Sequence, residues 1–231
     1  MAFFIIKRLH LSPLYTLPKT MKKLFFTLLV SSFLLTACDK NTPIVKPINE
    51  LKEEIVEIKT PLGTMIMWLN KKTIKHRNNF ISLAQKQFYD STLFHRCVTN
   101  FVIQGGDPLT KDNIPGNDGT GGPGYQIDAE IDTALYKHDF GAVGTARDNN
   151  PEKKSNGSQF YIVTQTGGSH FLDNNYTVFG RIIKGMDIAL LINKQPKTSD
   201  KPNTKIDMDV NLLYKTHKEI TDEYGYTNFD W

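Results

Sequence analysis

What most restricts the fold of this chain is the recurrence of short β-favouring runs separated by Pro, Gly and Asn, with only two stretches of helical period. EEIVEIKT and GTMIMWLN flank Thr60-Pro61-Leu62-Gly63 and predict a hairpin. Further strand-like runs follow at Thr92 to Val98, Phe101 to Gln104, Phe140 to Ala146, Gln159 to Thr164 and Thr177 to Ile183, and KIDMDVNLLYK gives a final alternating strand. TIKHRNNFISLAQKQF carries Phe80, Ile81, Ala84 and Phe88 at helical spacing after a Thr73 cap, and MDIALLINKQ reads as a second, shorter helix. Strands do not alternate with helices. The pattern therefore argues for a mainly β, antiparallel barrel or sandwich with two helices packed on it, and against a parallel α/β sheet.

Charge does not point to nucleic acid. The 231 residues hold 28 Lys and Arg against 24 Asp and Glu, but Lys7, Arg8, Lys19, Lys22 and Lys23 fall in residues 1–37, where no acid occurs. The remaining 23 basic residues are balanced by the 24 acidic ones, so the body of the chain presents no basic excess. From Met21 the leader reads MKKLFFTLLVSSFLLTAC: a basic start, an apolar stretch from Leu24 to Leu35, then small residues before Cys38. That stretch is shorter than the ~20 apolar residues a membrane span needs, and its layout is that of a secretory signal. Leu35-Thr36-Ala37-Cys38 resembles the lipobox of bacterial lipoproteins, which implies cleavage before Cys38 and acylation of its thiol. Residues 1–37 are expected to be the signal, with Met21 a possible initiator, and residues 38–50, which hold two Pro and no periodicity, a tether. The expected location is the bacterial cell envelope, anchored to a membrane through lipid and facing the periplasm. With Cys38 acylated, Cys97 has no disulfide partner and reads as a small buried apolar residue.

Two motif readings fail on their own terms. GTGGPG, within the loop between Gly105 and Gln126, lacks the Gly-Lys-Ser/Thr and the strand-to-helix setting of a phosphate cradle. The six His residues lie far apart and no pair stands at i, i+4, so neither a metal nor a cofactor is expected.

The informative segment is FHRCVTNFVIQGGD, Phe94 to Asp107, followed by GTGG at Gly119 to Gly122, NGSQF at Asn156 to Phe160 and FLDNNYTVFGRI at Phe171 to Ile182. In this order and spacing the chain resembles the cyclophilin-type peptidyl-prolyl cis-trans isomerases over roughly Glu53 to Lys215. The resemblance implies a closed eight-stranded antiparallel barrel capped by two helices over residues 51–216, with a peptide groove on its outer surface and residues 217–231 as a C-terminal extension. It implies Arg96 as the catalytic residue. Phe101, Val102, Tyr161 and Leu172 then match proline-pocket positions, Gln104 and Gln159 match positions that orient the peptide backbone, and Gly119, Ala146 and Arg147 line the groove.

The residue types suit that chemistry independently. Rotation about an X-Pro bond must break amide resonance against a barrier of ~18 to 20 kcal/mol, and it makes no covalent bond. What it needs is a grip on the proline ring and a donor aimed at the nitrogen lone pair that appears as resonance is lost, a role a guanidinium can fill. Departures from the most familiar family pattern are Tyr161 for Phe, Phe171 for Trp, Tyr176 for His, Val102 for Met and Arg147 for Asn. Phe171 lacks the indole donor to cyclosporin-like macrocycles, and Tyr161 brings a hydroxyl that needs a partner at the pocket floor. His95 is expected to be structural. The implied function is isomerisation of X-Pro bonds in folding envelope proteins by a monomer. The alternatives are a non-catalytic module that holds proline-containing segments, and a barrel with a small apolar ligand inside, against which the Val, Ile and Phe of the strands argue. The four aromatics of the last segment, Tyr224, Tyr226, Phe229 and Trp231, are expected to fold back over a barrel face.

Overall fold

The computed structural model describes residues 50–112, 114 and 116–230. The signal, the lipobox with Cys38 and nearly all of the tether lie outside the described residues, as does Trp231.

The hairpin forms as its sequence dictates. β1 (Lys52–Thr60) pairs antiparallel with β2 (Gly63–Leu69), with Thr60 opposite Gly63 across the Pro61-Leu62 turn. The helix α1 (Ile74–Gln85) follows, then β3 (Thr92–Leu93), β4 (Arg96–Val98), β5 (Val102–Gly105), β6 (Gln126–Ile127), β7 (Ala142–Thr145), β8 (Ser155–Asn156), β9 (Phe160–Val163) and β10 (Val178–Lys184). The helix α2 (Met186–Asn193), β11 (Lys197–Thr198), β12 (Lys201–Pro202), β13 (Asp207–Thr216) and the helix α3 (His217–Tyr224) complete the chain.

One antiparallel sheet of nine strands, in the order β3-β13-β1-β2-β10-β7-β9-β5-β4, carries the fold, and β6-β8 and β11-β12 form two small ladders beside it. The ninth strand arises because Thr92 to Val98, a single run in the sequence, divides at Phe94-His95. Its first half pairs with β13 and its second half with β5. Those halves are the two edges of the sheet, so the sheet curls until one chain segment joins its ends. No hydrogen-bonded ladder links β3 to β4 directly.

The interior is filled by side chains, which leaves no room for the ligand-carrier alternative. Val56, Ile58, Met65, Met67, Leu69, Ile103, Ile162 and Met208 from the strands meet Phe80, Leu83 and Ala84 of α1 and Ala189 and Ile192 of α2. Aromatic rings lock the centre: Phe80 stacks on Tyr89 at 4.6 Å and meets Phe160 edge-on at 5.6 Å.

Two expectations are corrected. Thr73 precedes α1, but its side chain makes no capping bond. The carboxylate of Glu130 caps the helix instead, accepting from Lys75 N and His76 N, each at 3.0 Å. Among the described residues there are also three α-helices where two were expected. Thr216 and Glu219 close a capping box on α3, and Gly225, in the left-handed region at φ 71°, ends it. The helix places Ile220, Tyr224, Tyr226 and Phe229 over Ile55, Ile66 and Trp68 on the outer face of β1 and β2. Trp68 lies 5.5 Å from Tyr226 and 5.6 Å from Phe229, so these aromatics do fold back on their own domain.

Candidate functional site

The outer surface around β4, β5 and β9 carries a cavity of about 340 Å³. Arg96 and Gln104 form one wall, and Phe101, Val102, Tyr161, Phe171 and Leu172 form its apolar interior. Ala146, Arg147 and Tyr176 close the far side. These residues come from five separate segments of the chain, brought together because β4, β5, β9 and β7 are consecutive neighbours in the sheet. The register sets Arg96 opposite Gln104 and Gln104 opposite Tyr161, so the cationic side chain and the pocket floor share one face.

The remaining two site residues of the sequence reading lie just outside this cavity. Gly119 lines an adjoining depression together with Arg96, Gln104 and His95. Gln159 is buried behind Gln104 and acts through it. Its Nε2 donates to the carbonyls of Gly119 and Gly121 at 3.0 and 2.8 Å, and its Oε1 accepts from Gln104 Nε2 at 2.9 Å. The Oε1 of Gln104 in turn accepts from Arg96 Nη1 at 3.2 Å. The hydrogen-bond sense is thus fixed from the loop outward, and the other guanidinium N-H groups of Arg96, which borders both the cavity and the adjoining depression, have no partner among the described residues.

The loop that anchors this line is organised by Asp107, a residue the sequence reading passed over. Its buried carboxylate accepts from Leu109 N at 2.8 Å, from Gly119 N at 2.5 Å and from Gly121 N at 3.1 Å. Gly121 is required here, since a Cβ would sit 2.2 Å from Asp107 Oδ1. The sequence signal was an acid directly after a strand, followed by a glycine-rich loop.

A second missed pair lies under the pocket. His138 Nδ1 faces Asp173 Oδ1 at 2.7 Å, and its Nε2 faces the Tyr161 hydroxyl at 2.8 Å. The carboxylate places the proton on Nδ1, so Nε2 accepts from the phenol. Burial holds His138 below the usual histidine range against the pull of Asp173, and burial also pushes the Tyr161 phenol well above its ordinary value. The hydroxyl at the pocket floor therefore has its partner beneath the floor, and the cavity receives the ring.

The departures at Tyr161, Tyr176 and Arg147 are contiguous. Tyr161 meets Tyr176 edge-on at 6.1 Å, and the Arg147 guanidinium lies 4.9 Å from the centre of the Tyr176 ring. Phe171, exposed, stacks on Phe101 at 5.3 Å. His95 is buried and held below the usual range chiefly by burial. Cys97 is fully buried, and burial pushes its thiol up to about 11, which makes it a poor nucleophile.

A curled antiparallel sheet with a packed interior carries an external apolar pocket beside an oriented arginine, which defines a barrel-like protein whose site lies on its outer surface. The family model of cyclophilin type peptidyl-prolyl cis-trans isomerases matches residues 55–211. Among relatives, a peptidyl-prolyl cis-trans isomerase of Dictyostelium discoideum is 34% identical over 158 residues, covering 68% of this chain and 95% of its own. Peptidyl-prolyl cis-trans isomerase B of Bacillus subtilis is 39% identical over 111 residues, covering 48% of this chain and 69% of its own. A cyclophilin type isomerase of Cryptosporidium parvum, crystallised in the presence of the dipeptide Ala-Pro, superposes with a TM-score of 0.60 at 28% identity, over 69% of this chain and 98% of its own. The chain belongs to the cyclophilin-type peptidyl-prolyl cis-trans isomerases. Its reaction is rotation about X-Pro peptide bonds.

Proposed function

We propose that this isomerase acts at a bacterial cell envelope on proline-containing segments of folding proteins, as a monomer held to a membrane through an acylated Cys38 and facing the periplasm. The basic start, the short apolar stretch and Leu35-Thr36-Ala37 before Cys38 support the anchor. Cys38→Ser is expected to release the protein from membranes or leave the precursor uncleaved. Unmodified protein with an N-terminus elsewhere, recovered free of membranes, would contradict the anchor.

At the site, Phe101, Val102, Leu172 and the ring of Tyr161 receive the pyrrolidine ring, and Arg96 donates to the prolyl nitrogen as its lone pair localises. Gln104 orients the peptide backbone and Arg96 together, with Gln159 behind it, while Gly119, Ala146, Arg147, Phe171 and Tyr176 border the bound chain. A donor held in place before the reaction costs no reorganisation in the transition state, which is why orientation matters more than proximity alone. The observation that carries this reading is the line from the Gly119 and Gly121 carbonyls through Gln159 and Gln104 to Arg96. Gln104→Ala is expected to lower kcat for a prolyl tetrapeptide by about 10-fold with KM changed less. An unchanged kcat in the folded variant would remove Gln104 from the site.

A further inference from the structure

Two guanidinium groups share the walls of one cavity that has no acidic side chain in its lining. Among the described residues neither is paired with a carboxylate, whereas Arg77 and Arg181 pair with Glu54 and Asp139. Acids beside the groove have partners of their own, Asp118 in the adjoining depression pairing with Lys201. Asp148 accepts from the side-chain amides of Gln126 and Asn150, and Asp173 is held by His138 and His170.

Arg147 is also fixed in place. Its Nε donates to Asn175 O at 2.9 Å, its Nη1 donates to Asp148 O at 3.0 Å and to Asn150 O at 3.1 Å, and the fork lies over Tyr176. Neutral carbonyls orient a guanidinium without cancelling its charge, and they leave Nη2 with no partner among the described residues. A preorganised cation with a free donor edge is suited to a carboxylate.

We propose that the groove prefers prolyl segments carrying an acidic residue beside the proline, and that Arg147 is the specificity-determining residue. This rests on the groove being the prolyl-peptide site. Arg96 faces the prolyl bond, so the free charge of Arg147 falls to the flanking residue, and a basic residue there meets repulsion from both arginines.

The test uses the full chain in detergent micelles and prolyl peptides with Glu, Gln or Lys at each of the two positions on either side of the proline, with isomerisation followed by exchange NMR. At low salt, kcat/KM for Glu should exceed that for Lys by at least ~5-fold at one flanking position. The gap should narrow at ~0.5 M salt. Arg147→Gln should bring the ratio close to 1, and Arg147→Lys should retain part of it, with circular dichroism confirming that both variants are folded. Equal rates across the three charges would overturn the proposal while leaving the isomerase intact. A preference that survives Arg147→Gln would overturn the assignment to Arg147. Failure to turn over any peptide would sink the prolyl-peptide reading of the groove, and this proposal with it.

Discussion

The hydroxyl of Tyr161 and Nε2 of His138 are joined by a 2.8 Å hydrogen bond beneath the apolar cavity, with Asp173 holding the opposite ring nitrogen at 2.7 Å. The phenol is thus satisfied on its buried side. Tyr161→Phe is expected to change kcat/KM by less than about 3-fold but to leave a buried nitrogen unpaired, a loss of ~1 to 2 kcal/mol. Thermal unfolding should show this as a fall in Tm of roughly 2 to 8 °C. A large gain in activity would mean that the hydroxyl points into the cavity.

Room for that phenol depends on Gly144. A Cβ there would lie 2.6 Å from both Cζ and Oη of Tyr161 and 2.8 Å from Cε2. Gly144→Ala is therefore expected to push the ring into the pocket and raise KM by ~5-fold or more. Tyr161→Phe should not rescue it, because ring carbons collide as well. Steady-state kinetics on the single and double variants decide the matter.

Mild acid should destabilise the domain through its buried histidines. His76, His95 and His138 are buried, and burial lowers each below the ordinary value of 6.5, outweighing Glu130 beside His76 and Asp173 beside His138. As pH falls through that value, the unfolded chain takes up protons that the folded chain refuses. Stability then drops by ~1.4 kcal/mol per pH unit for each proton of difference. Asp173, held below the usual carboxylate range, adds a further loss at more acidic pH. Tm should be flat from pH 8 to 7 and fall between pH 6.5 and 5; a flat profile down to pH 5 would contradict the burial of these rings.

Much of this was legible in the sequence, and the misses have physical causes. The hairpin, α1 and the strands follow from local periodicity and turn chemistry, which need no knowledge of partners. Arg96, Phe101 and Gln104 could be placed because the motif around them is local and fixed by strand alternation. Glu130 acts on backbone groups 54 and 55 residues away, and His138 reaches Tyr161 and Asp173 across 23 and 35 residues, so no window shows them, whereas Asp107 left only the local trace of an acid before a glycine-rich loop. The third helix was different, because its signals were present. Thr216 and Glu219 have capping-box spacing, Gly225 stands at the exit, and the unbroken run Met65 to Leu69 announces a strand covered on both faces. The alternating strand before it runs directly into the cap, so its period of two overlaps those signals.

That covering makes the C-terminal segment part of the domain. Deleting residues 217–231 uncovers Ile55, Ile66 and Trp68. Stability should fall by at least ~2 kcal/mol, or roughly 4 to 8 °C in Tm. Activity on a short prolyl peptide at 15 °C should persist, since the cavity is built from residues between Arg96 and Tyr176. An unchanged Tm would show that α3 does not cover the sheet in solution.

Arg96, oriented through Gln104, is the proposed transition-state donor. Its most direct test is kcat/KM of Arg96→Ala for a prolyl tetrapeptide, measured on the full chain beside its circular dichroism. A loss of at least ~10²-fold is expected, the usual worth of one preorganised donor, carried mainly by kcat and with an unchanged spectrum. Near-normal turnover by the folded variant would contradict it.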